Sequence, residues 1–337
     1  MTIVAVTETE YRKAPDIFEA AASGGLKCIS APPDEAELAR TITATGASHA
    51  IVGIQPYVGP LYAALKRGAV LARFGVGHDS IDKAQATAAG LLVTNTPGAL
   101  DDSVAELTMA LILAAARHIP TVTRDTREGG WRQIVGVELR ERTLAVIGCG
   151  AIGCRVARIA SRGFGMRVIG VKAHDTNRER LMADFGFDSI VTDLAPAVAN
   201  ADFVSLHVPG TPATRHLLNA ERLAMLPAGA WLINTARGSV VDEAALYDAL
   251  AAGRLGGAAL DVCEREPYAP ADPGRDLRAL PNVILTPHVG SSTRQACVRM
   301  ARQALANIAA AQRQDYASMN IVNPDVLALL TNPTTPG

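Results

Sequence analysis

The chain has 337 residues, 49% of them hydrophobic and 19% charged, which is enough for two domains that each bury a core. A formal net charge of −1 offers no electrostatic basis for binding nucleic acid or an anionic membrane surface. The N-terminus, Met1-Thr2-Ile3-Val4-Ala5-Val6-Thr7-Glu8, has no basic stretch before a long apolar run, and the strongly apolar segment 107–116 is too short to span a bilayer. The five cysteines, Cys28, Cys149, Cys154, Cys263 and Cys297, show neither a CxxC pair nor zinc spacing. They read as reduced structural thiols in a cytoplasmic protein with no metal.

Strand and helix candidates alternate from the N-terminus, the pattern of parallel sheets. Strands are expected at residues 3–6, 27–29, 50–54, 70–74 and 91–95, with helices near 14–22, 35–44, 60–67 and 81–88 between them. After Thr96-Pro97-Gly98 a helix is expected over 101–118, where Ser103 and Glu106 have capping-box spacing. Its apolar residues run nearly all round, the sign of a buried helix. A polar arm, 121–140, follows and carries Trp131.

The strand Thr143–Ile147 leads into Gly148-Cys149-Gly150-Ala151-Ile152-Gly153, which opens a helix at 152–161. The first glycine allows a tight turn, the second lets backbone approach a pyrophosphate, and the third lets helix pack on strand. The helix N-terminus then faces the anion, so Gly148, Gly150, Ala151, Ile152 and Gly153 are candidate cofactor contacts. An acidic residue is expected after the next strand, 167–171, to bind the adenosine ribose of NAD. Lys172 stands there instead, with His174, Arg178 and Arg180 close behind. A cation at that place pairs with the 2′-phosphate of NADP, whereas Asp175 on the same loop would serve NAD. The cofactor reads as NADP or NAD, with the balance toward NADP.

Four later strands each end in polar residues. Phe203-Val204-Ser205-Leu206 leads to His207-Val208-Pro209, and Trp231-Leu232-Ile233-Asn234 to Thr235-Ala236-Arg237-Gly238. Gly257-Ala258-Ala259-Leu260 leads to Asp261-Val262-Cys263-Glu264-Arg265-Glu266-Pro267, and Asn282-Val283-Ile284-Leu285 to Thr286-Pro287-His288-Val289-Gly290. Side chains at the carboxyl ends of strands in an open α/β sheet point into the ligand crevice. A Glu and a His delivered there can pair, the carboxylate fixing the imidazole tautomer and favouring its protonated form. An arginine fork for a carboxylate beside such a pair is the equipment needed to reduce a 2-oxo acid. A last helix, 293–313, carries the chain to Val322-Asn323-Pro324, and the tail 331–337 reads as disordered.

Taken in series, these motifs resemble the D-isomer-specific 2-hydroxyacid dehydrogenases, a family that includes phosphoglycerate, glycerate and D-lactate dehydrogenases and glyoxylate/hydroxypyruvate reductases. The matching stretches begin at Arg73-Phe74-Gly75-Val76-Gly77, Asn95-Thr96-Pro97-Gly98 and Val104-Ala105-Glu106. They continue through the glycine fingerprint and the strand ends just described to Val322-Asn323-Pro324, nearly the whole chain. The resemblance implies an α/β fold of two doubly wound parallel-sheet domains. A Rossmann-type cofactor domain, 99–290, is inserted in a flavodoxin-like substrate domain, 1–98 plus 291–337, with the active site in the cleft between them.

The implied activity is reduction of a 2-oxo acid to the D-2-hydroxy acid, and the reverse, by hydride transfer with a nicotinamide cofactor. Carried over position by position, Arg237 anchors the substrate carboxylate, Glu266 orients the acid/base, and His288 donates the proton. The backbone N–H groups of Val76 and Gly77 share the carboxylate, with His78 beside them. Lys172, His207, Val208, Pro209, Thr235, Ala236, Asp261 and Gly290 join the fingerprint as cofactor contacts, Asp261 resembling the residue that meets the nicotinamide amide. Formate dehydrogenases place Gln where this chain has Glu266, which disfavours that branch. The family builds a two-fold homodimer from an arm such as 121–140; Trp131 belongs there or packs on its own chain. The remaining histidines, His49, His118, His174 and His216, read as surface or structural, and Cys149 and Cys263 as small apolar fillers.

Two other classes use related folds. A nucleotide-sensing corepressor or scaffold can retain the same three side chains, but the chain has no long disordered interaction tail. A hydrolase of the S-adenosylhomocysteine type would need further nucleoside-binding insertions. No residue distinguishes glyoxylate, hydroxypyruvate or a larger 2-oxo acid.

Overall fold

The computed structural model describes residues 1–174 and 176–331; Asp175 and 332–337, most of the expected disordered tail, lie outside the described residues. The chain forms two compact units, residues 1–100 with 291–337 and residues 101–290.

The first unit is built on five parallel strands: β1 (Thr2–Thr7), β2 (Leu26–Ala31), β3 (His49–Val52), β4 (Val70–Arg73) and β5 (Leu92–Thr94), in the order β2-β1-β3-β4-β5. This is the flavodoxin-like order, with its switch point between β1 and β3. Every residue of β3, β4 and β5 is buried, as a parallel sheet covered on both faces requires. β3 stops at Val52, short of the expected 54; at the next residue, Gly53, the buried Glu10 carboxylate leaves no room for a side chain, a Cβ coming within 2.6 Å. The helix expected over 60–67 is only Pro60–Ala64, since Leu65 turns extended. Val322-Asn323-Pro324 closes the outer edge of β5. Val322 N–H donates to the Val93 carbonyl (2.9 Å), and Asn323 Oδ1 accepts from Val93 N–H (2.9 Å). An edge strand with its ladder groups occupied cannot recruit a foreign strand.

The second unit has seven parallel strands: β6 (Thr143–Ile147), β7 (Arg167–Val171), β8 (Ser189–Val191), β9 (Phe203–Leu206), β10 (Trp231–Asn234), β11 (Gly257–Leu260) and β12 (Val283–Leu285). Their order is β12-β11-β10-β9-β6-β7-β8, a doubly wound sheet whose switch point falls between β6 and β9. Alternation along β6 fills two cores. Leu144 and Val146 pack with Ile112, Val156 and Ala160 on one face, while Ala145 and Ile147 pack with Leu232 and Leu246 on the other.

The Asp101–Ala116 helix begins two residues before Ser103, which is buried inside it, so the Ser103/Glu106 spacing does not mark its start. Its acidic first turn binds the fingerprint helix instead: Arg155 reaches Asp101 (3.1 Å) and Asp102 (2.6 Å), with carboxylates at the positive helix end. The helix also stops short of 118. His118 takes a left-handed conformation (φ 53) and begins a second helix, Ile119–Arg127. Beyond it residues 130–139 have no regular secondary structure. Trp131 is 85% exposed and Val135 93%, so Trp131 does not pack on its own chain. Among the described residues no helix is long and apolar enough to cross a membrane.

Candidate active site

Three adjacent strands, β10, β11 and β12, bring the polar groups to the carboxyl edge of the seven-stranded sheet. Past β10 the buried Asn234 shapes the turn that presents Arg237. Its Nδ2 donates to the Arg237 carbonyl (2.9 Å) and its Oδ1 accepts from Ala236 N–H (3.0 Å). Thr235 is held from the other side by Thr108 of the Asp101–Ala116 helix, hydroxyl to hydroxyl at 2.9 Å. The turn has no room for a side chain at Gly238, where a Cβ would lie 1.9 Å from the Cys263 carbonyl carbon. The loop after β11 therefore lies directly on the loop after β10.

Asp261, 2% exposed at the end of β11, fastens the loop after β12. Its Oδ1 accepts from Thr286 Oγ1 (2.6 Å) and Val289 N–H (2.9 Å), and its Oδ2 from Gly290 N–H (2.8 Å). The Asp261 carbonyl accepts from His288 N–H (2.8 Å). Between these bonds His288 is held at φ 53, a conformation that costs a non-glycine residue of order 1–3 kcal/mol. The grip aims the ring at Glu266: His288 Nδ1 and Glu266 Oε2 are 2.7 Å apart. Glu266 Oε1 also accepts from Cys263 N–H (3.1 Å). Burial pushes the Glu266 carboxyl upward. The bond and charge of His288, the Cys263 N–H and the Arg237 charge outweigh burial and hold it below the ordinary carboxylate range. The structure thus brings Arg237, Glu266 and His288 into one electrostatic unit and leaves His288 Nε2 as the ring nitrogen free of Glu266.

The fingerprint lies at the switch point. Gly148 has φ 104, and a Cβ there would meet the His207 carbonyl at 2.6 Å and Val208 Cγ1 at 3.0 Å. At Gly153 a Cβ would meet the Gly148 carbonyl at 2.1 Å. Gly150 is different: nothing lies within 4 Å of its missing Cβ, and as N-cap of the Ala151–Phe164 helix it supplies no side-chain bond to the first turn. Space above Gly150 and uncapped N–H groups at Ala151, Ile152 and Gly153 fit a dinucleotide pyrophosphate. His207 shares a hydrogen bond with Ser205 (2.8 Å), and burial pushes its ring down to about 3, so it stays neutral. Pro209 turns its carbonyl to the Thr214 hydroxyl. Lys172 follows β7, its ammonium bonded to Thr176 Oγ1 (2.6 Å).

Val76, Gly77 and His78 lie in the first unit, after β4. The loop is pinned by Asn95 Nδ2, which donates to the Val76 carbonyl (2.8 Å), and by Thr96 N–H, which donates to the Gly75 carbonyl (3.0 Å). His78 Nδ1 lies 3.3 Å from the Lys83 ammonium. All five cysteines are free. Burial pushes the Cys149 and Cys263 thiols up to about 12, which leaves them without nucleophilic character. Among the described residues no cluster of three His, Cys, Asp or Glu could hold a metal.

Asn234, Gly238 and Asn95 also shape these loops, a role that nothing in the motifs containing them announces. Of the two readings open for His216, surface or structural, its contact with Glu264, two positions before Glu266, favours the structural one.

A dinucleotide-binding sheet that presents an imidazole, a carboxylate and a guanidinium at its carboxyl edge defines a class of dehydrogenases, and comparison with known proteins identifies the family. A family model described as the NAD binding domain of the D-isomer specific 2-hydroxyacid dehydrogenases matches residues 109–290. The glyoxylate reductase of Korarchaeum cryptofilum is 39% identical over 279 residues, 81% of each chain. The structure of D-lactate dehydrogenase from Aquifex aeolicus, complexed with NAD and lactic acid, matches with a TM-score of 0.81 at 30% identity and covers 95% of this chain and 99% of that one. An NADPH-dependent glyoxylate/hydroxypyruvate reductase from Sinorhizobium meliloti, complexed with NADP and malonate, matches with a TM-score of 0.79 at 29% identity, covering 96% and 97%. The chain belongs to the D-isomer specific 2-hydroxyacid dehydrogenases. It is an oxidoreductase that uses a nicotinamide cofactor to interconvert a 2-oxo acid and a 2-hydroxy acid.

Proposed function

We propose that the protein reduces a small 2-oxo acid, glyoxylate or hydroxypyruvate, to the 2-hydroxy acid with NADPH in preference to NADH. The observation that carries the acid/base reading is the 2.7 Å contact of His288 Nδ1 with Glu266 Oε2, beside Arg237. When bound, the nicotinamide supplies the hydride to the carbonyl carbon. Negative charge then grows on the carbonyl oxygen, and His288 delivers a proton to it from Nε2. Glu266 stabilises the imidazolium and fixes the ring. Arg237 binds the substrate carboxylate with two parallel bonds, which fixes the face offered to the hydride. Val76, Gly77 and His78, in the loop after β4, are the first unit's candidates for binding a 2-oxo acid.

On the cofactor side, Gly148, Gly150, Ala151, Ile152 and Gly153 hold the pyrophosphate, with His207, Val208, Pro209, Thr235, Ala236 and Gly290 around the dinucleotide. Asp261 meets the nicotinamide amide with lone pairs left over from its three bonds. Lys172 at the end of β7 supports NADP, since an ammonium pairs with a 2′-phosphate and a carboxylate would repel it. Glyoxylate and hydroxypyruvate are favoured by what the related reductases are named for. The exposed Trp131 and Val135 support a homodimer joined through the arm, and five free thiols support a cytoplasmic location. The corepressor alternative draws no support from matches that name enzymes.

The test is a panel of 2-oxo acids with NADPH and NADH, followed by nicotinamide absorbance, in wild type, Lys172→Asp and His288→Asn. Glyoxylate or hydroxypyruvate should turn over with a higher kcat/KM for NADPH, and Lys172→Asp should shift the ratio toward NADH. His288→Asn should lose roughly 10²–10⁴-fold in turnover with cofactor binding intact. Activity above a tenth of wild type in His288→Asn would overturn the acid assignment, and a wild-type preference for NADH would overturn the cofactor assignment.

A further inference from the structure

Beside the Glu266–His288 pair stands a second histidine–carboxylate pair that the mechanism does not use. His216 Nε2 contacts Glu264 Oε1, and its Nδ1 lies 4.0 Å from Asp242. His216 is itself fixed: it takes φ 48, and its N–H donates to the Ser239 carbonyl (2.8 Å). Glu264 is gripped at a second point, its backbone N–H donating to Glu243 Oε1 (2.5 Å). The two glutamates of the loop thus face opposite anchors, Glu264 toward His216 and Glu266 toward His288. Below them the Cys263–Glu264 peptide rests on Gly238 with no space for a side chain.

We propose that His216 is a positioning residue for the acid/base pair: by holding Glu264 it pins the loop after β11 onto Gly238, so that Glu266 keeps its carboxylate on His288. The inference rests on the reading of Glu266 and His288 as that pair. Without His216, Glu264 keeps only its backbone N–H bond to Glu243, and the loop is free enough for the Glu266 carboxylate to drift. A misplacement of about 1 Å remote from the chemistry can cost 10²-fold.

The charges around the loop make positioning and electrostatics separable. Asp242, Glu243, Glu264 and Glu266 face this region, opposed by Arg237 and by the two histidines when they are protonated. If His216 acted only through its charge, removing it would leave the surroundings more negative. The protonated form of His288 would then be favoured, and the alkaline limb of reduction would move to higher pH. If His216 positions Glu266, removing it weakens the Glu266–His288 contact, and the limb moves to lower pH.

The experiment measures kcat and KM for glyoxylate reduction across pH in His216→Asn, His216→Gln and Glu266→Gln, with dinucleotide affinity and thermal midpoint measured alongside. Asn tolerates the left-handed backbone at 216 but is too short to reach Glu264; Gln keeps a donor at the reach of Nε2. His216→Asn should lose roughly tenfold in kcat, a fraction of the ~10²-fold that a 1 Å misplacement can cost. Its alkaline limb should move to lower pH, in the direction of Glu266→Gln, with dinucleotide affinity unchanged, and His216→Gln should restore most of the loss. A limb that stays put or rises in His216→Asn, while Glu266→Gln moves it down, overturns the positioning role and leaves the acid/base pair standing. An unmoved limb in Glu266→Gln overturns both.

Discussion

His288 and Glu266 share a hydrogen bond, Nδ1 to Oε2. The carboxylate is held in its charged form chiefly by the ring it orients, against the upward push of burial. Glu266→Gln removes the counter-charge that favours imidazolium, so the alkaline limb of reduction should move to lower pH; a pH–rate profile that superposes on wild type would count against the dyad. Arg237 is a different kind of residue, because geometry and not charge alone is at stake. An ammonium has no fork to match a carboxylate. Arg237→Lys should raise KM for the 2-oxo acid and lower kcat, and equal constants in both enzymes would remove Arg237 from the substrate site.

The glycine turn after β6 allows two substitutions to be set against each other. A side chain at Gly153 has nowhere to go, so Gly153→Ala should lower the thermal midpoint by forcing the helix off the turn. A side chain at Gly150 meets only open space. Gly150→Val should keep the midpoint of the unliganded protein and lose dinucleotide affinity in fluorescence titration; unchanged affinity would mean the pyrophosphate lies elsewhere. Strand ends were the legible part of this chain. An apolar run followed by Arg237, Glu266 or His288 is a local pattern, and parallel strands place such patterns along one sheet edge. The capping-box spacing at Ser103 and Glu106 is equally local, yet Arg155, 53 positions from Asp102, binds the first turn instead. Asp261 on the loop after β12, Asn95 on Val76 and His216 on Glu264 depend on segments that only the folded sheet brings together. Their residue types are common in turns, so nothing in their spacing marks them out.

Across the whole molecule, acid should act through two neutral imidazoles, His49 buried and His207 half-buried. His49 accepts a hydrogen bond from Val70 N–H (3.0 Å), and burial pushes its ring down to about 4; burial pushes His207 down to about 3. The unfolded chain binds these protons near pH 6.5 while the native protein refuses them. Their contribution is therefore complete above 6.5 and lost as pH falls toward 4. At about 1.4 kcal/mol per pKa unit, His49 alone accounts for a loss of order 3 kcal/mol. The thermal midpoint should fall between pH 7 and 4.5, and less steeply in His49→Asn, which keeps an acceptor for Val70 and cannot charge. Parallel curves for the two proteins would show that His49 does not contribute.

The closure of β5 by Asn323 has a consequence for how the chain is made. The 230 residues separating Val93 from Asn323 leave the ribosome at about 5–20 per second. For roughly 12 to 46 s the nascent sheet therefore carries a bare outer edge, while all of residues 101–290 emerges and can fold as an uninterrupted stretch. The order of synthesis favours completing the inserted unit before the one that begins the chain. During that interval the open rim of β5 is the place where a second nascent chain, or a chaperone, would find main-chain groups to bind.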